Sequence, residues 1–296
     1  MSQVAPVLRP EAPRRQPRSC AGCGQADRSH LYWVRDWRFG DQEPFEVIVC
    51  RRCGLGALER AGRPGTETGW EYPLEYPAHA PPPAGQRPRH VNVWAMAARA
   101  LALGYPPPAL GPMRAATVRA GAIPLRRWAR RRPQPYFRPG GRLLDVGCGR
   151  GDFLRGMRSC GWETFGLDPC ARAVAAARAQ GLTVAQGTLQ AGIWPDGYFA
   201  AITFLDSFEH CPDPHATLAA AARLLAVGGE LLILFPDFGS IWRRVFGRYW
   251  ADIAAPRHAY FYTPAVLRRL VGSAGFTVTA TCRRPSADIS RSLRIW

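Results

Sequence analysis

Asp145, Gly147, Gly149, Gly151 and Asp168 are the residues of this 296-residue chain whose types and spacing point most directly to chemistry. Residues 143–151 read Leu-Leu-Asp-Val-Gly-Cys-Gly-Arg-Gly, an apolar run ending in an acid and then glycine at every second position. The run can form a strand buried on both faces, while the glycines let the backbone turn tightly and present bare N–H groups at the start of the next helix. Asp168 stands 23 positions after Asp145, at the end of a second apolar run, where a carboxylate can accept hydrogen bonds from two ribose hydroxyls.

A second constellation is made of thiols. Cys20-Ala-Gly-Cys23-Gly and Cys50-Arg-Arg-Cys53-Gly are two knuckles, each able to offer two thiolates to one tetrahedral ion. This pattern favours structural zinc over a redox or disulfide pair, with Leu31 to Val34 and Phe45 to Val49 forming a short hairpin between the knuckles. A module of this size cannot bury enough apolar area without its metal. The other five cysteines are scattered singly and read as packed thiols.

The elements that must position these groups are legible from residue 142 onward, where apolar strand segments alternate with helical ones. Asp168-Pro169, Asp213-Pro214 and Thr263-Pro264 each offer a capping oxygen followed by proline at the first helical position. The helices they start are expected to stop at Gly181, at Gly228-Gly229 and near Gly275. Strands are predicted at 162–167, 182–186, 199–205 and 230–235, with one more at 276–283 near the far edge. The fold class is therefore α/β, a doubly wound Rossmann-like sheet with a small N-terminal zinc-ribbon module.

The glycine spacing also separates two cofactors. A pyrophosphate loop needs Gly-x-Gly-x-x-Gly, whereas alternate glycines suit S-adenosylmethionine, which carries an amino-acid tail in place of phosphates. With these motifs in order, the chain resembles the class I S-adenosylmethionine-dependent methyltransferases. Residues 143–151 match the first motif and Gly166-Leu-Asp-Pro169 the second strand end. Residues 205–214, Leu-Asp-Ser-Phe-Glu-His-Cys-Pro-Asp-Pro, are similar to the segment after the fourth strand, and residues 223–229 to the turn before the fifth. Residues 256–264 and 270–276, together with the ribbon and a Tyr/Pro-rich stretch at 70–77, resemble a subgroup often associated with polysaccharide and cell-envelope biosynthesis.

The resemblance implies a methyltransferase sheet in which Gly147, Gly149 and Gly151 pack against the methionyl part and Asp145 helps hold its ammonium. It implies that Asp168 binds ribose, that Gly187, Thr188 and Leu189 flank adenine, and that Asp206 and Ser207 line the pocket beneath the sulfonium. For a hydroxyl acceptor a general base is useful, and His258, Glu209 and His210 are the candidates, His258 first because it sits in a polar loop. Asp206 and Glu209, three apart, fit a capping box equally well, and His210 fits a packed histidine bonded to backbone. The sequence departs from the family in having Ala200 where an acid is usual, and in leaving only twelve residues after Arg284 for a sheet that normally gains two further strands.

Formal net charge is +17, and all 39 basic residues are arginines. No acid falls between Glu75 and Asp145, while twelve arginines lie from Arg87 to Arg142. Codon bias explains the missing lysines; the one-signed block at 87–142 still attracts an anionic partner. Residues 1–18 lack the apolar core of a signal peptide, and the longest apolar stretch, 91–105, is shorter than the ~20 residues of a span. The expected location is cytoplasmic, with peripheral contact at the inner face of the membrane allowed by that stretch and its arginines. The expected organisation is a disordered tail (1–19), zinc ribbon (20–60), Pro/Arg-rich connector with helix (61–137), S-adenosylmethionine-binding catalytic domain (138–284) and C-terminal tail (285–296). The expected activity is methyl transfer to a small or lipid-linked acceptor, a hydroxyl of a glycan precursor. The competing readings are an RNA methyltransferase that uses the basic connector and the ribbon, and a non-catalytic adaptor. The first lacks the Asn/Asp-Pro-Pro-aromatic box after the fourth strand, and the intact glycine loop argues against the second.

Overall fold

A computed structural model describes residues 19–40, 44–60, 76, 79, 92–131, 133–282 and 289–295. The N-terminal tail through residue 18, most of the 70–77 stretch, and Arg87, Arg89 and Arg132 lie outside the described residues. Ribbon strands β1 (Arg28–Val34), β2 (Phe45–Cys50) and β3 (Gly56–Arg60) come first, then connector helices α1 (Val93–Leu103), α2 (Pro112–Ala122) and α3 (Arg126–Arg130). The C-terminal half runs β4 (Arg142–Val146), α4 (Asp152–Ser159), β5 (Glu163–Asp168), α5 (Ala171–Arg178), β6 (Thr183–Gln186), β7 (Phe199–Leu205), α6 (Pro214–Leu224) and β8 (Leu225–Leu234). It continues through α7 (Ile241–Phe246), β9 (Tyr260–Phe261) and α8 (Pro264–Ser273), and α9 (Ile289–Ile295) follows.

The central sheet has five parallel strands in the order β6-β5-β4-β7-β8. The order reverses at β4, so a crevice opens beyond the carboxyl ends of β4 and β7, where open α/β sheets bind ligands. Adjacent residues of β4 serve opposite layers. Leu143 packs with Leu154 and Met157 of α4 and with Ala98 of α1, whereas Leu144 packs with Leu218 of α6 and Leu270 of α8. Strands buried on both faces need such unbroken apolar runs.

The ribbon is not a separate bead. Its antiparallel sheet, β1-β2-β3, takes β9 from the C-terminal half as a fourth strand, with Gly56 opposite Phe261 and Ala57 opposite Tyr260. Val34, Phe45, Val47 and Leu58 share a core with Phe238, Phe246, Trp250 and Phe261. Burial of each such aromatic ring contributes about 1.5–3 kcal/mol. Arg257 forms a bidentate ion pair with Asp36 (2.7 and 3.2 Å) in which the side chains are only 4% and 5% exposed. The same loop is held to the sheet side by the Ala259 N–H, which donates to the Glu209 carbonyl at 2.9 Å.

Three sequence expectations are corrected. α6 ends at Leu224 and not at Gly228-Gly229, because Leu225 already pairs with Phe199 and the glycines lie in a bulge before Glu230 resumes the ladder. Residues 276–282 form no strand, and the sheet stops at β8 among the described residues. An alternating segment becomes a strand only when a neighbour supplies its ladder bonds. The segment expected as a C-terminal tail contains α9, whose buried Ser292 hydroxyl accepts the Ala251 N–H at 3.1 Å. No helix among the described residues is long and apolar enough to cross a membrane.

Asp36→Ala leaves a buried guanidinium unpaired, so it is expected to destabilise the protein by about 3–5 kcal/mol in denaturant unfolding. The double variant Asp36→Ala/Arg257→Met should recover a measurable part of that loss; equal stability of the single variant and the parent would show that the pair carries no structural weight.

Candidate functional site

The loop after β4 turns through three left-handed glycines, Gly147 (φ 75°), Gly149 (φ 54°) and Gly151 (φ 84°). L side chains rarely adopt this region, and two of the positions are also crowded. A Cβ on Gly147 would stand 2.5 Å from Ser207 Cβ, and one on Gly151 2.2 Å from Leu182 Cδ1. Alternate glycines are thus required by the backbone path itself, which threads between β7's end and the start of β6.

Two buried acids lie beneath this loop. Asp145 accepts the Thr203 hydroxyl from the middle of β7 at 2.7 Å. Burial pushes its carboxyl up to about 7, with the Thr203 bond opposing and the nearby Asp168 charge adding to the rise. Asp168, 3% exposed, accepts the Gly149 N–H (2.8 Å) and the Cys170 N–H (2.9 Å). Its side chain therefore ties the two loops together, and the N-cap position of α5 is taken by Cys170, not by Asp168 as the sequence implied. Burial raises its pKa and the two backbone N–H bonds lower it. A pair of inward carboxylates under bare backbone suits a ligand with a cationic group and a vicinal diol, the chemistry of an S-adenosyl donor.

The structure distributes the other predicted residues around that centre. Gly187 (φ 141°) gives its N–H to the Asp168 carbonyl at 3.1 Å. Thr188 is exposed, and Leu189 is packed into the main core. Asp206 is exposed and left-handed (φ 53°) at the end of β7. Ser207 is buried with its hydroxyl given to the Val146 carbonyl at 2.6 Å, so it fastens β7 to β4 below the glycine loop.

Glu209, His210 and His258 meet where the turn after β7 touches the loop before β9, a largely buried rim between the two sheets. His210 donates Nδ1–H to the Arg257 carbonyl (2.7 Å) and His258 donates Nδ1–H to the Asp252 carbonyl (2.8 Å). Their rings meet edge to face with centroids 4.8 Å apart. Ser207 occupies the N-cap of the 3₁₀ turn Phe208–His210 without a side-chain capping bond, and both Glu209 carboxylate oxygens lack a hydrogen-bond partner among the described residues. Burial drives the Glu209 carboxyl upward, reinforced by Asp206, and drives His258 downward, reinforced by His210.

Two neighbours escaped the sequence reading. Thr203 is a lone hydroxyl in the apolar strand Phe-Ala-Ala-Ile-Thr-Phe-Leu, a signal that can be read once its partner strand is known. His79, buried at 6%, reaches Asp168 from the connector; burial lowers its pKa and the carboxylate opposes that. Its ring also meets Tyr76 at 4.9 Å.

The four ribbon thiols converge as well. Cys20 Sγ lies 3.5 Å from Cys53 Sγ and Cys23 Sγ 3.6 Å from Cys50 Sγ, close to the roughly 3.8 Å that ~2.3 Å tetrahedral zinc–sulfur bonds impose. Backbone N–H groups of Gly22, Cys53 and Leu55 point at these sulfurs, and Gly24 and Gly54 turn left-handed after each knuckle. The donor set fits zinc.

Gly147→Ala is expected to lower stability by about 1–3 kcal/mol, since the methyl meets Ser207 on a left-handed backbone. Gly156→Ala in α4, where nothing lies within 4 Å, should instead be neutral or stabilising by about 0.5–1 kcal/mol. Urea titrations of both variants check the contrast, and equal effects would show that the loop tolerates the side chain.

The methyltransferase-domain family matches residues 121–281, more than half of the chain. An uncharacterised protein of Mycobacterium tuberculosis is 35% identical over 140 residues, 46% of this chain and 47% of that protein. A ubiquinone biosynthesis O-methyltransferase of Xanthomonas oryzae is 36% identical over 101 residues, 32% of this chain and 42% of that enzyme. The chain thus spans about half or less of the length of these curated relatives. Among solved structures, a methyltransferase of Thermotoga maritima described as a possible histamine N-methyltransferase is 26% identical, with a TM-score of 0.42 over 48% of this chain and 67% of that one. With its switch-point crevice, alternate glycines and matched family domain, the chain belongs to the class I S-adenosylmethionine-dependent methyltransferases.

Proposed function

We propose that the protein transfers a methyl group from S-adenosylmethionine to a hydroxyl of a small or lipid-linked glycan precursor. The observation that carries the donor half is the pair of buried carboxylates, Asp145 and Asp168, beneath three left-handed glycines. In this reading Asp145 faces the donor's ammonium, Asp168 its ribose hydroxyls, and the backbone of residues 147–151 its methionyl chain. Gly187 and Thr188 edge the adenine side, with Leu189 supporting them from the core, and Asp206 and Ser207 form the floor toward the acceptor. S-adenosylmethionine supplies an already activated methyl on sulfur, so the protein mainly aligns the acceptor and excludes water.

An oxygen acceptor is supported by the likeness to an O-methyltransferase and by Glu209, His210 and His258 after β7 and before β9, the candidates to relieve a hydroxyl of its proton. A glycan precursor rests on the resemblance of the ribbon-bearing architecture. The lipid-linked form has a physical argument of its own: α2 and α3 expose Met113, Ile123, Leu125 and Trp128 among the exposed arginines Arg114, Arg119, Arg126, Arg127, Arg130 and Arg131. Apolar side chains flanked by fixed cations suit the anionic surface of a bilayer. In the same reading the four-cysteine cluster holds structural zinc.

Asp168→Ala should weaken S-adenosylmethionine binding by roughly 10–100-fold in calorimetry, the scale of one or two charge-assisted hydrogen bonds. Labelled methyl transfer to nucleotide-linked and lipid-linked sugars tests the acceptor; transfer to RNA and to none of these sugars would replace the glycan reading.

Donor binding should also depend on pH. Asp145 has a carboxyl near 7, is protonated below that value and gains its charge above it. Affinity for the cationic donor should therefore rise as pH increases through ~7 and then level off, with proton release on binding at the acid side. Asp145→Asn should flatten the profile, and an unaltered profile in that variant would assign the dependence to another group.

A further inference from the structure

The three connector helices divide their apolar residues between two tasks. α1 is the anchor: Ala97, Ala98, Ala102 and Leu103 are buried in the core shared with Leu143, Leu154 and Met157, so the apolar stretch 91–105 packs inside the protein. α2 and α3 rest on α1 through small residues, with Ala122 and Ala129 buried and Val118 packed against the same core. Gly121 lies close under the Trp94 ring, where a Cβ would stand 2.4 Å from Cζ3.

The other side of α2 is apolar as well. Met113, Ala116, Ala120 and Ile123 follow one another at helical spacing and share a stripe, all of them exposed. Met113 is 86% exposed and Ile123 57%, and exposed Pro124 and Leu125 carry the stripe around the turn into α3, where Leu125 and Trp128 stand three apart. A helix that is apolar on two faces buries one against its own fold and offers the other to a partner.

The cations decide which partner. Arg114 and Arg119 border the stripe on α2, and Arg126, Arg127, Arg130 and Arg131 follow on α3, all exposed. No acid occurs between Glu75 and Asp145, so nothing on the three helices neutralises them. A second copy of the chain would set the same six cations against one another. An RNA would gain from the guanidinium groups but not from Met113, Ile123 and Leu125, which offer no ring for a base to stack on. Anionic lipid matches both parts of the surface: its phosphates accept paired hydrogen bonds from arginine, and the boundary of its acyl chains receives the aliphatic side chains.

We propose that α2 and α3 form a docking face that seats the protein on a bilayer containing anionic lipid. Each arginine held at such a surface strengthens binding by roughly fivefold, and the aliphatic stripe adds a contribution that salt does not screen. Docking requires only these helices; its use in reaching an acceptor rests on the lipid-linked reading above.

The full-length protein is sedimented with vesicles of phosphatidylcholine alone and with vesicles of phosphatidylcholine and phosphatidylglycerol in equal parts. Binding to the anionic vesicles is expected, weakened but not abolished by added salt, with little binding to phosphatidylcholine alone. Arg126→Gln/Arg127→Gln should weaken it by roughly tenfold or more, and Met113→Ser/Ile123→Ser by several-fold. Arg51→Gln/Arg52→Gln, which removes the same charge from the exposed second knuckle, should leave it nearly unchanged. Should a variant unfold by circular dichroism, vesicle composition and salt still test the parent protein. No sedimentation with anionic vesicles, equal binding to both kinds of vesicle, or an equal loss in the knuckle variant overturns the proposal. So does tighter binding to single-stranded RNA that is indifferent to Met113→Ser/Ile123→Ser, which would assign the face to nucleic acid. S-adenosylmethionine affinity is measured on the same samples: donor binding without vesicle binding removes the docking face alone, and vesicle binding without donor binding removes the methyltransferase reading alone.

Discussion

The buried ion pair between Asp36 and Arg257 is the constraint on which the junction between the cysteine module and the methyltransferase domain depends. It spans 221 residues of sequence and joins the ribbon to the loop that carries His258. Two charges removed from water are tolerated only with close geometry, and here a fork-to-carboxylate contact meets that requirement. Asp36 also accepts the N–H groups of Arg38 and Phe39, and the guanidinium lies over the Phe39 ring at 4.9 Å. Once Arg257 is fixed, its carbonyl orients His210, and the neighbouring residues 258 and 259 have little freedom left. The rim is therefore a product of ribbon packing as much as of the catalytic sheet.

The donor side obeys a different logic, and it is far more local. Gly147, Gly149, Gly151 and Asp168 are all within 22 positions, and each answers to a backbone requirement that leaves a mark in the sequence. The helix starts at Asp213 and Thr263 are equally legible, since a short polar side chain accepts an N–H three residues on and proline follows. The alternation of apolar strands with capped helices was enough to name the fold class and the strand segments up to β8, while their spatial order came only with the structure.

What the sequence hid is explained by range and by pairing. β9 is two residues long, too short for any periodicity, and gains strand character only from β3. Asp36 and Arg257 look like ordinary surface charges until the fold brings them together. Residues 276–282 misled in the opposite direction: their alternation resembles a strand, yet no neighbour offers them a ladder. Gly228 and Gly229 read as a helix stop because a bulge needs the same conformational freedom as a C-cap, and only the pairing of Leu225 with Phe199 distinguishes the two. Thr203 could not be singled out without Asp145 on the adjacent strand to receive its hydroxyl.

The pairing of β9 with the sheet of the cysteine module ties two parts of the chain together. Asp145 lies in β4 and Asp168 ends β5 of the central sheet, while His258 stands just before a strand whose ladder belongs to the cysteine module. Cys20, Cys50 and Leu55 moreover share one core with Leu144 and Val146 of β4 and Leu167 of β5. A change that spreads the four thiols is therefore felt in the strands that carry the two acids as well as in the loop of His258, so the cysteine module and the central sheet behave as one packed unit.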